Sequence, residues 1–89
     1  MDSRRSKLKY RAWHRGFREA DLILGPFADA SLEGMSTAEL DAFEQLLEQP
    51  DHDLYTWIVS EAQAPTALDG GVLEMIRAFR FSAYRALRT

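Results

Sequence analysis

The sequence of 89 residues has no cysteine, only three prolines and no long apolar run. Without cysteine the chain cannot form a disulfide, an iron–sulfur cluster or a thiolate zinc site, and it has no thiolate nucleophile. Its apolar runs, such as Leu22-Ile23-Leu24, are far shorter than the roughly 18 residues that span a bilayer. These absences predict one soluble domain, residues 1–89, in a reducing compartment and without stable membrane insertion.

Positive charge is absent from the middle of the chain. Residues 19–74 contain thirteen acids and no Lys or Arg, whereas residues 1–18 contain seven Lys and Arg against one Asp. Residues 75–89 add four arginines and no acid. The favoured interpretation is that two basic terminal helices lie against the acidic middle and neutralise it. The alternative is that a basic end faces a partner.

Helical patterns run along the whole chain, and no stretch shows the apolar alternation of a half-buried strand. Residues 1–5 are expected to be a flexible N-terminus, and residues 6–15 a first helix that Gly16 ends. Residues 17–32 predict a second helix, with a kink or a short break at Gly25-Pro26. The first half of the chain is therefore expected to form two helices.

The second half carries clearer boundaries. Ser36-Thr37-Ala38-Glu39 is a capping box that begins a third helix, Pro50 stops it, and Asp51 is expected to cap a fourth. Residues 63–71 are interpreted as a linker before a last amphipathic helix. The aromatic residues expected in the core are Phe43, Tyr55, Trp57 and Phe79. The sequence thus predicts an all-α, compact five-helix bundle.

No self-contained catalytic or metal site is visible. The two histidines, His14 and His52, have no clear partner, and Gly70-Gly71 has the spacing of neither common phosphate loop. Two histidines without cysteine make a poor metal site. We therefore expect no catalytic residue, no bound metal and no enzymatic activity.

The segment Trp13-His14-Arg15-Gly16-Phe17-Arg18-Glu19 is the part of the chain that packing explains least well. Gly16 lets another backbone approach closely, Arg15 is a forked donor, and Glu19 can accept a hydrogen bond. These features are typical of a contact site. The alternative is a glycine helix stop beside a surface ion pair between Arg15 and Glu19, which would contribute only about 0–1 kcal/mol.

This segment resembles the succinate dehydrogenase assembly factor 2 family, whose members are also called FAD assembly factors or flavinators. The family's Arg-Gly-x-x-Glu motif stands here as Arg15-Gly16-Phe17-Arg18-Glu19. Similar blocks flank it: Tyr10-Arg11-Ala12-Trp13-His14 before it, and Asp21-Leu22-Ile23-Leu24-Gly25-Pro26-Phe27 after it. The resemblance continues through residues 43–58, so that it covers about residues 4–60. Phe17, where many members have Met, and Ser60-Glu61 depart from the family pattern.

The resemblance implies a five-helix bundle that binds the flavoprotein subunit of succinate dehydrogenase, and often that of fumarate reductase. It implies that the protein promotes covalent attachment of FAD to a histidine of that partner, and that it binds no cofactor tightly itself. The partner-binding residues would be Arg15, Gly16 and Glu19, and more loosely His14 and Asp21. A free monomer in the bacterial cytoplasm is expected.

The basic ends leave a different class of function open. The chain could be a small protein-interaction or regulatory module, antitoxin-like, or a nucleic-acid binder that uses its basic first helix. The thirteen acids of the middle region oppose binding to a polyanion over most of the surface. The sequence therefore favours a protein partner, and no nucleic acid.

Overall fold

The computed structural model describes residues 2–60 and 63–88, with side chains described up to residue 80. These residues form five α-helices and one short 3-10 helix, and they contain no strand. The elements are α1 (Ser3–Trp13), α2 (Arg18–Ser31), the 3-10 helix (Leu32–Gly34), α3 (Thr37–Leu47), α4 (Asp51–Val59) and α5 (Gly71–Arg88). The all-α, five-helix prediction is confirmed.

Helix α1 begins earlier than the sequence pattern predicts. Asp2 caps it by accepting from the Arg5 backbone N–H at 2.8 Å, so the helix starts at Ser3 and residues 3–5 are helical. The Arg5 side chain then donates to the carbonyls of Leu32, at 2.8 Å, and Met35, at 2.6 Å. Among the described residues, the first helix therefore begins at Ser3 and not at residue 6, and it ends at Trp13 and not at residue 15.

Helix α2 continues through Pro26 without the short break that the sequence suggested. Proline removes one backbone donor, but Leu24, Phe27 and Ala28 on either side of it are fully buried and hold the helix in place. Gly25 has a separate role, because a side-chain carbon there would overlap the indole ring of Trp13. The Gly25 position is thus a place where α1 and α2 approach each other closely.

The start of α3 follows the sequence prediction, whereas the start of α4 does not. Ser36 and Glu39 exchange side-chain-to-backbone hydrogen bonds at 3.1 and 2.9 Å, which confirms the capping box. At α4 the N-cap is Pro50, and Asp51 is the first helical residue and makes no capping bond. Asp51 is instead drawn away by a tertiary contact with Arg15.

The core takes side chains from all five α-helices and from the 3-10 helix. Phe27 of α2 packs against Phe43 and Phe79, with ring centroids 5.6 and 5.8 Å away. The largest fully buried side chains are Leu24, Phe27, Leu32, Phe43, Leu46, Leu54, Leu73 and Ile76. Among the four expected core aromatics, Phe43 is fully buried, whereas Tyr55, Trp57 and Phe79 are partly buried at its edge.

Ion pairs join the basic first helix to the acidic middle. Arg4 contacts Asp41 and Glu44 of α3, and Lys9 lies 3.1 Å from Asp29 of α2. At the other end, Arg77 of α5 pairs with Asp69 and Glu74 and also donates to the Trp57 carbonyl at 2.8 Å. Exposed pairs contribute little individually. They support the predicted neutralisation at Arg4, Lys9 and Arg77.

Candidate functional site

Residues 14–17 form the turn between α1 and α2. Gly16 has a φ of +91°, which L side chains rarely adopt, and an added side-chain carbon would meet no atom within 4 Å. The backbone conformation therefore requires glycine, and the space above it is open. A partner can approach the main chain directly at this point.

Arg15 points into the protein from this exposed turn. Only 8% of its side chain is exposed. Its guanidinium donates from Nε to Asp51 Oδ1 at 2.7 Å, from Nη1 to the Leu47 carbonyl at 2.6 Å, and from Nη2 to the Gln49 carbonyl at 2.7 Å. These acceptors end α3 and begin α4, where the helix dipole of α3 also favours a cation. Arg15 therefore fastens the turn to the α3–α4 junction.

Asp21 stabilises the same turn from the first turn of α2. Its Oδ1 accepts from the Arg15 backbone N–H at 3.1 Å, while its own N–H donates to the Phe17 carbonyl at 2.9 Å. The carboxylate also lies near the positive N-terminal end of α2. Arg15 is thus held at its backbone by Asp21 and at its side chain by the α3–α4 junction.

Three of the predicted site residues face outward: His14, Gly16 and Glu19 are all exposed. The imidazole of His14 stacks on Tyr10, with ring centroids 4.3 Å apart. Glu19 makes no ion pair with any described residue, so the Arg15–Glu19 surface pair that was the alternative interpretation does not form. The five predicted residues therefore divide into two inward residues that shape the turn and three outward residues that can meet a partner.

The edges of the turn are defined by aromatic packing and a groove. Phe17 is partly buried and packs on Tyr55 of α4, with centroids 5.3 Å apart. On the α1 side lies an open groove of about 280 Å³, bordered by Tyr10, Arg11, His14, Arg15, Leu47 and Asp51. The outward face of the turn thus continues into the surface of α1.

Sequence reasoning missed Asp51 as a member of the site. Its place directly after Pro50 made it look like a helix cap, and no local pattern links it to Arg15, which lies 36 residues earlier. The only local sign was that two acids, Asp51 and Asp53, precede the first apolar residue of α4, whereas a helix cap needs only one of them.

The described residues contain no group of three His, Cys, Asp or Glu side chains that could hold a metal ion. None of the helices in the described part of the chain is long and apolar enough to cross a membrane.

Comparison with known proteins gives a consistent result. The family described as "Flavinator of succinate dehydrogenase" matches residues 6–80. A protein of Dictyostelium discoideum, "Succinate dehydrogenase assembly factor 2, mitochondrial", is 34% identical over 77 residues, which are 86% of this chain and 55% of that protein. The "FAD assembly factor SdhE" of Acetobacter pasteurianus is 40% identical over 65 residues, 73% of this chain and 60% of that protein.

A third relative, from Debaryomyces hansenii, has the same name as the Dictyostelium protein and is 44% identical over 57 residues, 64% of this chain and 40% of its own length. The chain thus spans about half the length of the curated relatives that it matches. The family match includes all of α2, α3 and α4 and the Arg15–Glu19 turn. The chain belongs to the family of flavinators of succinate dehydrogenase.

Proposed function

We propose that this protein promotes covalent attachment of FAD to a histidine of the flavoprotein subunit of succinate dehydrogenase. The observation that carries the proposal is the Gly16 turn of a flavinator-family chain. The turn is exposed and open above Gly16, yet Arg15 fixes it from below with three side-chain hydrogen bonds. A surface that is rigid before binding loses little conformational entropy when a partner docks.

The protein acts as a chaperone-like assembly factor and not as an enzyme. The covalent bond joins a ring nitrogen of the partner's histidine to the flavin 8-methyl carbon. Its formation breaks one N–H bond of the imidazole and one C–H bond of the methyl group. The two protons and one electron pair that are released reduce the flavin ring. The histidine and the flavin both belong to the partner. This chain therefore needs no nucleophile, and it binds no cofactor tightly.

What the chain contributes is placement. Holding two reacting groups in the correct geometry lowers a barrier by several kcal/mol, roughly 7–11 in the best intramolecular cases. The open backbone at Gly16 seats against the partner's flavin-binding region, while Glu19 and His14 contact groups on either side. The complex holds the partner in an arrangement in which the acceptor histidine faces the flavin. Arg15 and Asp21 act indirectly, because they keep the turn in shape.

The same surface serves the flavoprotein of fumarate reductase, which presents the same FAD-attachment chemistry. We place the protein in the bacterial cytoplasm as a free monomer that associates only with its client. These assignments are part of the proposal.

A reconstitution with purified components tests the proposal. The flavoprotein subunit, purified without covalent flavin, is incubated with excess FAD in the presence or absence of this protein, then denatured and separated on a gel. We expect the fluorescent covalent flavin band to appear much faster with the protein present. The protein itself, purified alone, is expected to show no flavin absorbance. Equal rates with and without the protein would refute the assembly role.

A further inference from the structure

One face of α1 carries two cations, Lys7 and Arg11, that form no ion pair with the described residues. Lys7 and Arg11 are four residues apart, as are Tyr10 and His14, so the four side chains lie on one side of the helix. Lys7, Tyr10 and His14 are exposed and Arg11 is partly buried. We call these four residues the basic α1 face.

Lys7 and Arg11 both lack an acidic partner among the described residues, as do Arg18 and Arg80 elsewhere on the surface. The cations that pair with acids within the described residues are Arg4, Arg5, Lys9, Arg15 and Arg77. Lys7 and Arg11 pair with no acid of the described chain, although the sequence contains 14 acidic residues. Two like charges at this spacing also destabilise the helix that carries them. The protein therefore keeps an unfavourable pair of cations on this face, with Lys7 exposed and Arg11 partly buried.

The shape of the face suits a docked segment. A groove of about 440 Å³ is lined by Ser3, Ser6, Lys7, Tyr10 and Arg11. A second groove, of about 480 Å³, is lined by Lys7 and Arg11 together with Ser3, Arg4, Leu8 and Glu44, and Glu44 is paired with Arg4. Tyr10 lines the first groove with 67% of its surface exposed, one of two large apolar residues so exposed in the described chain. Tyr and Arg are enriched at the centres of protein interfaces.

The face is continuous with the Gly16 turn. The groove at the turn is bordered by Tyr10, Arg11 and His14 of this face as well as by Arg15. A partner seated on the turn would therefore lie beside Lys7 and Arg11, and its nearest surface would need negative charge to complement them.

From these observations we propose that the basic α1 face binds an acidic segment of the flavoprotein client, with two carboxylates about one helical turn apart that meet Lys7 and Arg11. The inference rests on the proposed function and adds the chemistry of the client's docking surface. A nucleic acid or an anionic membrane is a less suitable occupant, because residues 19–74 contain thirteen acids and no Lys or Arg.

The test measures binding of the purified protein to the purified flavoprotein subunit by calorimetry at about 50 and about 300 mM salt. The variants are Lys7→Glu and Arg11→Glu, and the matched control is Arg80→Glu, which makes the same charge change at an exposed position of α5. Lys7→Glu puts an acid four residues before Arg11, a favourable helical pair, so the melting temperature should be unchanged or raised. Lower affinity without lower stability identifies a contact role.

We expect each α1 variant to weaken binding about tenfold at low salt and to show a flatter salt dependence than the wild type, with the control within about twofold. Affinities of the α1 variants equal to that of Arg80→Glu would overturn the proposal. A second result would also overturn it. In that result the wild type binds single-stranded RNA or anionic vesicles, and Lys7→Glu abolishes this binding but leaves flavoprotein binding unchanged. If the wild type itself does not bind the flavoprotein, the proposed function fails and this inference fails with it.

Discussion

Arg15 and Asp51, 36 residues apart in the sequence, are joined by a hydrogen bond of 2.7 Å between Nε and Oδ1 beneath the exposed α1–α2 turn. The arginine belongs to the Arg-Gly-x-x-Glu motif, yet only 8% of its side chain reaches solvent. Its role is therefore to position the turn, and the residues that can touch a client are its neighbours. The motif combines an internal support with an external contact surface.

Removing the Asp51 carboxylate is expected to destabilise the protein. Asp51→Ala leaves the largely buried Arg15 guanidinium without its counter-charge, while the carbonyls of Leu47 and Gln49 still accept from it. Because Asp51 is partly exposed, we expect a loss of about 1–3 kcal/mol in the free energy of unfolding, below the value for a fully buried pair. Urea unfolding measures it.

Asp53→Ala is the control for that experiment, because Asp53 occupies the same first turn of α4 and is exposed. Its expected effect is only the loss of a favourable dipole contact, about 0.3–1 kcal/mol. Equal losses in the free energy of unfolding for the two variants would show that the Arg15–Asp51 contact adds nothing to stability beyond the helix-dipole contact. Arg15→Lys should resemble Asp51→Ala, since an ammonium cannot reproduce the three-way fork.

Two substitutions at Gly16 distinguish the cost of backbone strain from the loss of a surface contact. Gly16→Ala and Gly16→Arg both impose a positive φ on an L residue, at a cost of about 1–2 kcal/mol, and both point their side chains into open space. We expect the two variants to have similar stability. Only Gly16→Arg should abolish flavinylation, because its side chain would block the client's approach.

Gly70 provides the matched comparison, since it also has a positive φ, +77°, and nothing within 4 Å of an added carbon. Gly70→Arg should lose a comparable amount of stability and keep flavinylation activity. Loss of activity in Gly70→Arg to the same degree as in Gly16→Arg would mean that reduced stability, and not a blocked surface, explains the effect. Thermal melts and the covalent flavin assay are run on all three proteins.

Gly25→Ala is expected to destabilise the α1–α2 contact. The new methyl group would overlap the Trp13 ring, and the overpacking should cost about 1–3 kcal/mol and change the tryptophan emission spectrum. Gly34→Ala serves as the control, because its added carbon meets nothing within 4 Å and its φ is not positive. A Gly25→Ala protein as stable as Gly34→Ala would contradict the close approach of the two helices.

Asp29 should make stability fall in acid. Its carboxylate accepts first from Lys9, at 3.1 Å, and then from the Trp13 indole, at 3.3 Å, and these bonds lower the pKa of Asp29 below its ordinary value of 3.8. The unfolded chain therefore takes up this proton at a higher pH than the folded one. The contribution is present above about pH 4 and is lost as the pH falls through the folded-state pKa.

Urea midpoints measured between about pH 7 and about pH 2.5 test this dependence. Asp29→Asn should lower stability near neutral pH and flatten the decline below about pH 4. Glu33→Gln, which changes an exposed acid without an ion pair among the described residues, should leave the decline as steep as in the wild type. An Asp29→Asn curve parallel to the wild type would contradict the assignment.

The features predicted correctly from the sequence depend on neighbouring residues. The capping box at Ser36 and the helix end before Gly16 follow from local hydrogen bonding and from glycine's freedom at positive φ. Of the kink or short break predicted at Gly25-Pro26, the break is wrong, because buried side chains on both sides outweigh one missing hydrogen bond. The role of Asp51 could not be predicted, since only the folded chain brings it to Arg15.

In the candidate site, too, some features follow from neighbouring residues and others only from the tertiary structure. The motif singled out the segment as a candidate site, which stays a prediction, but it did not predict that Arg15 and Asp21 turn inward while His14, Gly16 and Glu19 remain exposed. That distinction depends on the packing of α1 against α2 and on where α3 ends, which are properties of the tertiary structure.

The most direct test of the central claim concerns Glu19, which is exposed and unpaired within the described chain. The measurement is in-gel flavin fluorescence of the denatured succinate dehydrogenase flavoprotein from cells that lack this protein and are complemented with wild type, Glu19→Ala or Asp53→Ala. Both variants remove one acid from the first turn of a helix, so both should stay within about 1 kcal/mol of wild-type stability. We expect the covalent flavin band to return with wild type and Asp53→Ala and to be reduced at least about tenfold with folded Glu19→Ala. A full band with Glu19→Ala, or an undiminished band in cells without the protein, would contradict the account.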